Sequence, residues 1–168
     1  MKLTFQNDYF RALLVVAPNE DARRYLCSVH IDVKKSIATA TDGHRVIQVP
    51  VVVEDNRENI EIIILGLPKI KPTKRHRTIT AEVGRDLNHM NEITWTYSES
   101  NLSNYIMHIS RILDEKYPDI DSIKPDEGTL SKKGEFCFNP EYLSDVCSTL
   151  KSNTVGLYSS GENSVIKV

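Results

Sequence analysis

The sequence has few cysteines, and they lack the spacings that cysteine chemistry uses. Only Cys27, Cys137 and Cys147 occur among 168 residues, and no two of them form a Cys-x-x-Cys pair. An odd count without paired spacing argues against a disulfide framework and against a zinc site, and it favours a reducing compartment. We therefore expect a cytoplasmic protein that holds no metal.

Long apolar runs and a strong net charge are also missing. The longest apolar runs, ALLVVA and IIIL, are far too short to span a bilayer, and the start of the chain has neither an apolar signal core nor an Arg/Ser-rich presequence. The formal net charge is −2. The chain as a whole therefore has no drive toward nucleic acid, and any such role needs a local basic patch.

The motifs of common enzyme classes do not occur. The seven glycines form neither G-x-G-x-x-G nor a Walker A loop, and the five histidines are scattered singly, without H-E-x-x-H. There is no G-x-S-x-G to place a nucleophile on a sharp turn. Because no nucleophile, metal set or phosphate cradle is evident, we expect a protein without a cofactor that is not an enzyme.

Two segments carry the apolar spacing and end signals of helices. In NDYFRALLVVAPNED, apolar residues recur at i, i+3, i+4 and i+7, and Asn7 or Asp8 can cap the first turn. In NPEYLSDVCSTLKSN, Asn139 is the predicted cap and a proline follows it, where its missing N–H costs nothing. The sequence therefore predicts two helices, one near each end of the chain.

The rest of the chain is rich in strand patterns. RRYLCSVHIDV alternates apolar and other residues, as a half-buried strand does, and IEIIIL and TITAEV are short β-prone runs. In total we expect eight to ten strands, with NLSN as a turn between two of the later ones and a hairpin at the end. Each helix follows a strand and precedes more strands, which predicts an α+β protein with antiparallel sheets and two helices.

The segment TATDGHRVIQV combines an acid and an imidazole in a β-prone run. Asp42 and His44 lie two residues apart, so they could contact each other in a catalytic pair, and a metal site would need further ligands at fixed spacing. Asp-Gly is also a common tight turn whose neighbours are exposed. On local evidence the turn is the favoured interpretation.

Residues 69–77 form the most basic stretch of the chain. This stretch holds five cations and no acid: Lys69, Lys71, Lys74, Arg75 and Arg77. They are candidate DNA contacts, since lysine and arginine neutralise phosphates, but a solvated loop explains the stretch at least as well. No aromatic residue is interleaved for base stacking.

Three stretches, in order, resemble one protein family. ATDGHRV, YPDIDSIKP and FNPEYLSDV resemble ATDGHRL, FPDYRRVLP and FNxxYLLDAL, which are characteristic of the bacterial sliding clamp, the β subunit of the replicative DNA polymerase. The resemblance implies a DNA-clamp (processivity) fold. It predicts one clamp-like domain over residues 1–168: a first βαβββ unit with extra strands (1–112), a connector with the PDI segment (113–134), and a second helix with a terminal hairpin (135–168).

The resemblance also implies a binding pocket. In the family, the TDGHR turn and the PDYRRV segment line a hydrophobic pocket for a short linear motif of the Gln-Leu-x-Leu-Phe kind, carried by polymerases and the clamp loader. By position, the implied pocket residues are Leu26, Thr41, Gly43, His44, Arg45, Val46, Pro118, Ile123, Ser164 and Val165. The apolar members would form a floor, and His44 and Arg45 a rim.

The chain also departs from the family. The family chain has three such domains and dimerises into a ring, whereas this chain is long enough for one, and Asp121 and Ser122 stand where the family has two arginines. The leading expectation is a sliding-clamp-like DNA-replication accessory protein of phage type that binds polymerase or clamp-loader motifs, forms a homo-oligomer and contacts duplex DNA. The alternative is a monomeric clamp-like interaction module that competes for or modulates the host clamp without encircling DNA.

Overall fold

The computed structural model describes residues 1–54, 60–69, 78–83, 92–99, 102–123, 139–151, 158–159 and 166–167. The chain divides into two compact units, Met1–Tyr117 and Pro118–Val168. The boundary falls inside the predicted connector, 113–134. That the whole chain forms one clamp-like domain stays a prediction.

The first unit is built on one antiparallel sheet. Its elements, in chain order, are β1 (Lys2–Gln6), α1 (Asn7–Val16), a 3-10 helix (Arg24–Cys27), β2 (Ser28–Asp32), β3 (Ile37–Thr41), β4 (Val46–Pro50), β5 (Val52–Glu54), β6 (Glu61–Leu65), β7 (Thr78–Val83), β8 (Glu92–Glu99) and β9 (Leu102–Leu113). The nine strands follow the order β4-β3-β2-β6-β9-β8-β7-β1-β5, and every described pair is antiparallel. The predicted antiparallel α+β class is confirmed.

The two edge strands of this sheet are neighbours along the chain. Strands β4 and β5 stand at opposite ends of the strand order, yet Val51 alone separates them. Val51 is buried, and its N–H donates to the Ser36 carbonyl at 3.0 Å. The sheet must therefore curve until its two edges meet. Helix α1 packs against strands from both ends, β3 and β4 on one side and β1 and β7 on the other.

The core lies between α1 and the concave face of the sheet. Phe5, Phe10 and Trp95 are fully buried there, with ring centroids 5.1–5.8 Å apart. Such aromatic clusters contribute through large buried area and edge-on ring contacts. The Trp95 indole N–H donates to the Ser110 hydroxyl at 2.7 Å across the β8–β9 pair. The chain's one tryptophan is therefore both packed and hydrogen-bonded.

The second unit holds a short 3-10 helix (Asp121–Ile123), α2 (Pro140–Leu150), β10 (Tyr158–Ser159) and β11 (Ile166–Lys167). The Asn139 side chain accepts a hydrogen bond from the Glu141 N–H at 3.0 Å, and the helix begins at Pro140. Strands β10 and β11 pair antiparallel. The predicted second helix and its cap are confirmed. The β10–β11 pair agrees with the predicted terminal hairpin, whose turn lies outside the described residues.

Three local predictions are wrong. Helix α1 has Gln6 at its N-cap, without a side-chain cap, and Asn7 is already helical and buried; the chain enters the helix directly from β1, so neither Asn7 nor Asp8 can cap it. The segment predicted as one strand from Arg23 begins with the 3-10 helix and becomes a strand only at Ser28. The predicted NLSN turn is too long, because β9 starts at its second residue, Leu102.

Candidate functional site

The loop between β3 and β4 is closed by its own side chains. Thr41 and Val46 are register partners, so Asp42–Arg45 make the connection. The Asp42 Oδ1 atom accepts from the backbone N–H groups of His44 and Arg45, both at 2.9 Å. The Thr41 hydroxyl accepts from the Gly43 N–H at 3.1 Å and donates to the Arg45 carbonyl at 2.8 Å. Short polar side chains that bond nearby backbone groups in this way fix a turn.

Gly43 gives this loop its conformation. Its φ of +90° lies in the region that L side chains rarely adopt. An added Cβ would stand 3.6 Å from the Arg23 guanidinium nitrogens and 3.8 Å from Leu26 Cδ1. The loop backbone therefore lies directly over Leu26 and Arg23, and the requirement for glycine comes from the backbone angle rather than from lack of space.

Arg45 fastens the loop to helix α1. Its Nε atom lies 2.9 Å from Asp42 Oδ2, in an ion pair whose side chains are 17% and 19% exposed. Its Nη2 atom donates to the Val15 carbonyl at 3.1 Å. The last carbonyls of a helix have no partner within the helix, and the C-terminal end favours a cation. Arg45 thus serves the turn and the helix end together.

The Asp42 carboxylate is held ionised by these contacts. Burial opposes its ionisation and is the largest single influence, but the hydrogen bonds from the His44 and Arg45 N–H groups and from the Arg45 guanidinium together outweigh it. The pKa of Asp42 is therefore lowered from its ordinary value. The acid has a structural role, since both carboxylate oxygens are occupied by the loop and by Arg45. The turn, rather than an Asp42–His44 pair, accounts for the local chemistry.

The exposed part of this region is small and mixed in character. Gly43 and His44 are exposed, and Val15 and Val46 are each 37% exposed. We call the surface formed by Val15, Gly43, His44, Arg45 and Val46 the hairpin surface. The other two predicted pocket residues of this region, Leu26 and Thr41, are buried at 2% and 3% exposure. They support the hairpin surface from beneath rather than offering area for a ligand.

The remaining predicted pocket residues belong to the second unit or lie outside the described residues. Pro118 and Ile123 belong to the second unit and are exposed there, Ile123 by 50%. The turn that contains them is fixed by Asp119, whose carbonyl accepts from the Ser122 hydroxyl at 2.7 Å. Ser164 and Val165 lie outside the described residues.

Tyr117, the residue just before the PDI segment, is anchored to the sheet. Its ring stacks on that of His30 with centroids 4.9 Å apart, and its hydroxyl donates to the Thr39 carbonyl at 3.4 Å. Burial raises the pKa of the Tyr117 hydroxyl. His30 Nε2 lies 3.4 Å from Glu61 Oε2, which is within ion-pair reach but is not a good hydrogen bond. Sequence reasoning missed this anchor, because nothing in the pattern links a residue of β2 to one 87 positions later.

Of the candidate DNA contacts, the structure describes one. Lys69 is exposed, just beyond β6. Lys71, Lys74, Arg75 and Arg77 lie outside the described residues, so their role stays a prediction.

The described part of the chain offers neither a metal site nor a membrane span. Among the described residues, no group of three or more His, Cys, Asp or Glu side chains could hold a metal ion. No helix in the described ranges is long and apolar enough to cross a membrane. No protein-family model matches the chain, and no curated protein sequence matches it.

Proposed function

We propose that this protein is a sliding-clamp-like accessory factor of DNA replication, of phage type and acting in the cytoplasm. In this proposal it is not an enzyme. It binds short linear motifs of polymerase or clamp-loader proteins, and the hairpin surface is part of the docking site. The proposal starts from the ordered motifs ATDGHRV, YPDIDSIKP and FNPEYLSDV, which resemble those of the bacterial sliding clamp.

The construction of the β3–β4 loop carries the proposal. The side-chain oxygens of Thr41 and Asp42 form hydrogen bonds within the loop, and Arg45 fixes the loop to α1. What faces outward is glycine backbone, an imidazole and a valine. A fixed surface with two exposed valines, Val15 and Val46, suits a peptide that binds through a few buried apolar anchors. A catalytic site would instead leave its acid free to act.

The chain order of the first unit is compatible with the proposed fold. A strand, a helix and three strands follow one another as β1, α1, β2, β3 and β4, and all described strand pairs are antiparallel. This is the βαβββ order that the clamp resemblance implies. The clamp fold as such remains part of the proposal.

The test is direct binding of a labelled peptide. A fluorescent peptide of the Gln-Leu-x-Leu-Phe kind should bind saturably, and Val46→Asp should weaken it at least about tenfold, since a central contact of this type contributes about 2 kcal/mol. Val52→Asp is the matched control, because Val52 is 62% exposed on β5 and outside the hairpin surface. Equal binding by the two variants, or no saturable binding by the wild type, would contradict the proposal.

One observation favours the alternative, a monomeric clamp-like module that modulates the host clamp without encircling DNA. Helix α1 carries one basic residue, Arg11, and its Nη1 atom lies 3.8 Å from the Asp8 carboxylate. Helix α2 carries Glu141 and Asp145. Helices of this charge offer little attraction to a phosphate backbone.

Molar mass in solution separates the two functions. A closed homo-oligomer that retains duplex DNA supports the sliding role. A monomer at micromolar concentration, with and without duplex DNA, supports the interaction module and contradicts the ring.

A further inference from the structure

A second surface of the first unit, separate from the hairpin surface, contains a shallow, open cleft. It has a volume of about 610 Å³ and lies where β6 ends beside β9. Its apolar wall consists of Leu65, Leu67 and Ile109. The cleft shares no residue with the hairpin surface, so binding at the cleft does not depend on the proposed function.

The apolar wall is unusually open to solvent. Ile109 is 56% exposed although it sits within a strand, and Leu65 and Leu67 are half-buried beside it. Single exposed apolar residues need no explanation, whereas neighbouring ones around a concavity offer contact area to an apolar side chain of a partner.

The rim of the cleft is basic. Lys69 and Arg111 are exposed cations, and His108 is a half-buried residue of the same lining. None of the described lining residues is acidic, although the whole chain has a net charge of −2. The nearest acid by register is Glu92, which faces Arg111 across the β8–β9 pair. Because an acid is its register partner, Arg111 is the weaker of the two cations for an acidic ligand, and Lys69 is the stronger.

The floor of the cleft is held rigid by a hydrogen-bond chain that reaches the core. The Gly66 carbonyl accepts from Ser110 Oγ at 2.6 Å and pairs with His108 Nε2 at 2.7 Å. Ser110 Oγ in turn accepts from the Trp95 indole N–H. Gly66 has a φ of +79°, which turns the chain out of β6 and points its carbonyl at these donors. A fixed floor lowers the entropic cost of binding.

We propose that this cleft binds an acidic peptide segment that carries one or two aliphatic anchors. The aliphatic side chains pack on Leu65, Leu67 and Ile109, and the flanking carboxylates face Lys69 and Arg111. Nucleic acid fits less well, because phosphates would use the cations but leave the apolar wall uncovered. The described lining also has no Phe, Tyr or Trp ring on which a base could stack, and its one imidazole, that of His108, is bonded to the Gly66 carbonyl.

The test uses three fluorescent peptides that differ in one property each. The first has Glu and Asp residues around a central leucine pair, the second has lysines in place of the acids, and the third has serines in place of the leucines. We expect saturable binding of the first alone, weaker at high salt because the cations are exposed. Binding of the second or third peptide as tightly as the first would overturn the proposal, as would no binding of the first.

Variants of the full chain locate the site. Lys69→Glu and Ile109→Ser should each weaken binding of the first peptide at least about fivefold, since a contact of about 1 kcal/mol changes affinity by that factor. Lys34→Glu, an exposed lysine after β2, and Val52→Ser on β5 are the matched controls and should bind as the wild type does. Equal effects of the cleft and control variants would overturn the proposal.

A duplex oligonucleotide is the competing ligand. If it displaces the first peptide at low concentration and its own binding is lost in Lys69→Glu but kept in Ile109→Ser, the cleft is a nucleic-acid contact and the peptide proposal is wrong. Failure of the duplex to displace the peptide supports it. Neither outcome bears on binding at the hairpin surface, which the Val46→Asp variant reports separately.

Discussion

Arg45 Nη2 donates a hydrogen bond to the Val15 carbonyl at 3.1 Å, across 30 positions of the chain. The same guanidinium pairs with Asp42 at 2.9 Å. One side chain therefore connects the end of helix α1 to the loop between β3 and β4. The hairpin surface has a fixed shape because of this connection, and its removal should affect both stability and binding.

Replacing Arg45 should loosen the loop. We expect Arg45→Ala to lower the free energy of unfolding by about 1–2 kcal/mol, because it leaves a half-buried carboxylate and a helix-end carbonyl without their cation. Urea denaturation measures this as a lower midpoint with an unchanged slope. Lys34→Ala, which removes an exposed lysine in a turn, is the control and should stay within about 0.5 kcal/mol. A midpoint for Arg45→Ala equal to that of the control would contradict the role given to Arg45.

Substitution of Gly43 should strain the backbone. Its φ of +90° predicts that Gly43→Ala costs about 1–3 kcal/mol of stability, whereas Gly43→Asn costs less, because asparagine tolerates positive φ better than alanine. Thermal unfolding of the two variants measures the difference. Equal stability of the alanine and asparagine variants would contradict the explanation by backbone angle.

The stability contributed by Asp42 should depend on pH in a defined direction. In the folded protein the pKa of Asp42 lies below its ordinary value of 3.8. The contribution is therefore complete above that value and is lost as the pH falls through the lower folded-state pKa. We expect Asp42→Asn to be destabilised at pH 7 and to lose less further stability than the wild type between about pH 5 and pH 2.

Urea midpoints across that pH range measure the effect. Asp114→Asn, at an exposed site after β9, controls for the loss of one carboxylate. Parallel pH profiles for wild type and Asp42→Asn would show that the loop contacts do not hold the acid ionised.

Ser110 should contribute more to the stability of the fold than its small side chain indicates. It is buried at 1% exposure and links the Trp95 indole N–H to the Gly66 carbonyl. Ser110→Ala leaves the buried indole N–H without its acceptor, which should cost about 1–3 kcal/mol. Urea unfolding, monitored by tryptophan fluorescence, measures this loss of stability. The matched Ser148→Ala change, at an exposed serine of α2, should be nearly neutral, and a similar cost for both would contradict the role of the chain of bonds.

The parts of the fold that local chemistry determines could be predicted. Asn139 and Pro140 are residues that favour a helix start by themselves, and helix α2 begins there. The alternating and β-prone runs predicted strands near their observed positions. The start of β2 was wrong because the Tyr25–Cys27 alternation fits a strand as well as the 3-10 turn that forms. Leu26 of this turn lies against the β3–β4 loop, a contact that the sequence pattern does not contain.

The candidate sites depend on contacts that sequence patterns do not contain. The TDGHR segment predicted an Asp-Gly turn, but the Arg45 contact with Val15 needs the helix and the loop in place. The cleft beside Gly66 brings together residues about 44 positions apart, including the pair of Ser110 with the Gly66 carbonyl. Neither the order of the strands nor the stacking of Tyr117 on His30 leaves a periodic signal.

The single residue between β4 and β5 has a consequence for how the sheet opens. In most sheets the two edge strands fray independently, each at its own rate. Here Val51 ties them together, and its N–H is bonded to Ser36. Movement of β4 away from β3 pulls on β5, and loss of β5 from β1 pulls on β4. Amide hydrogens of the two strands should therefore exchange with solvent in one shared event, although these strands stand at opposite ends of the strand order.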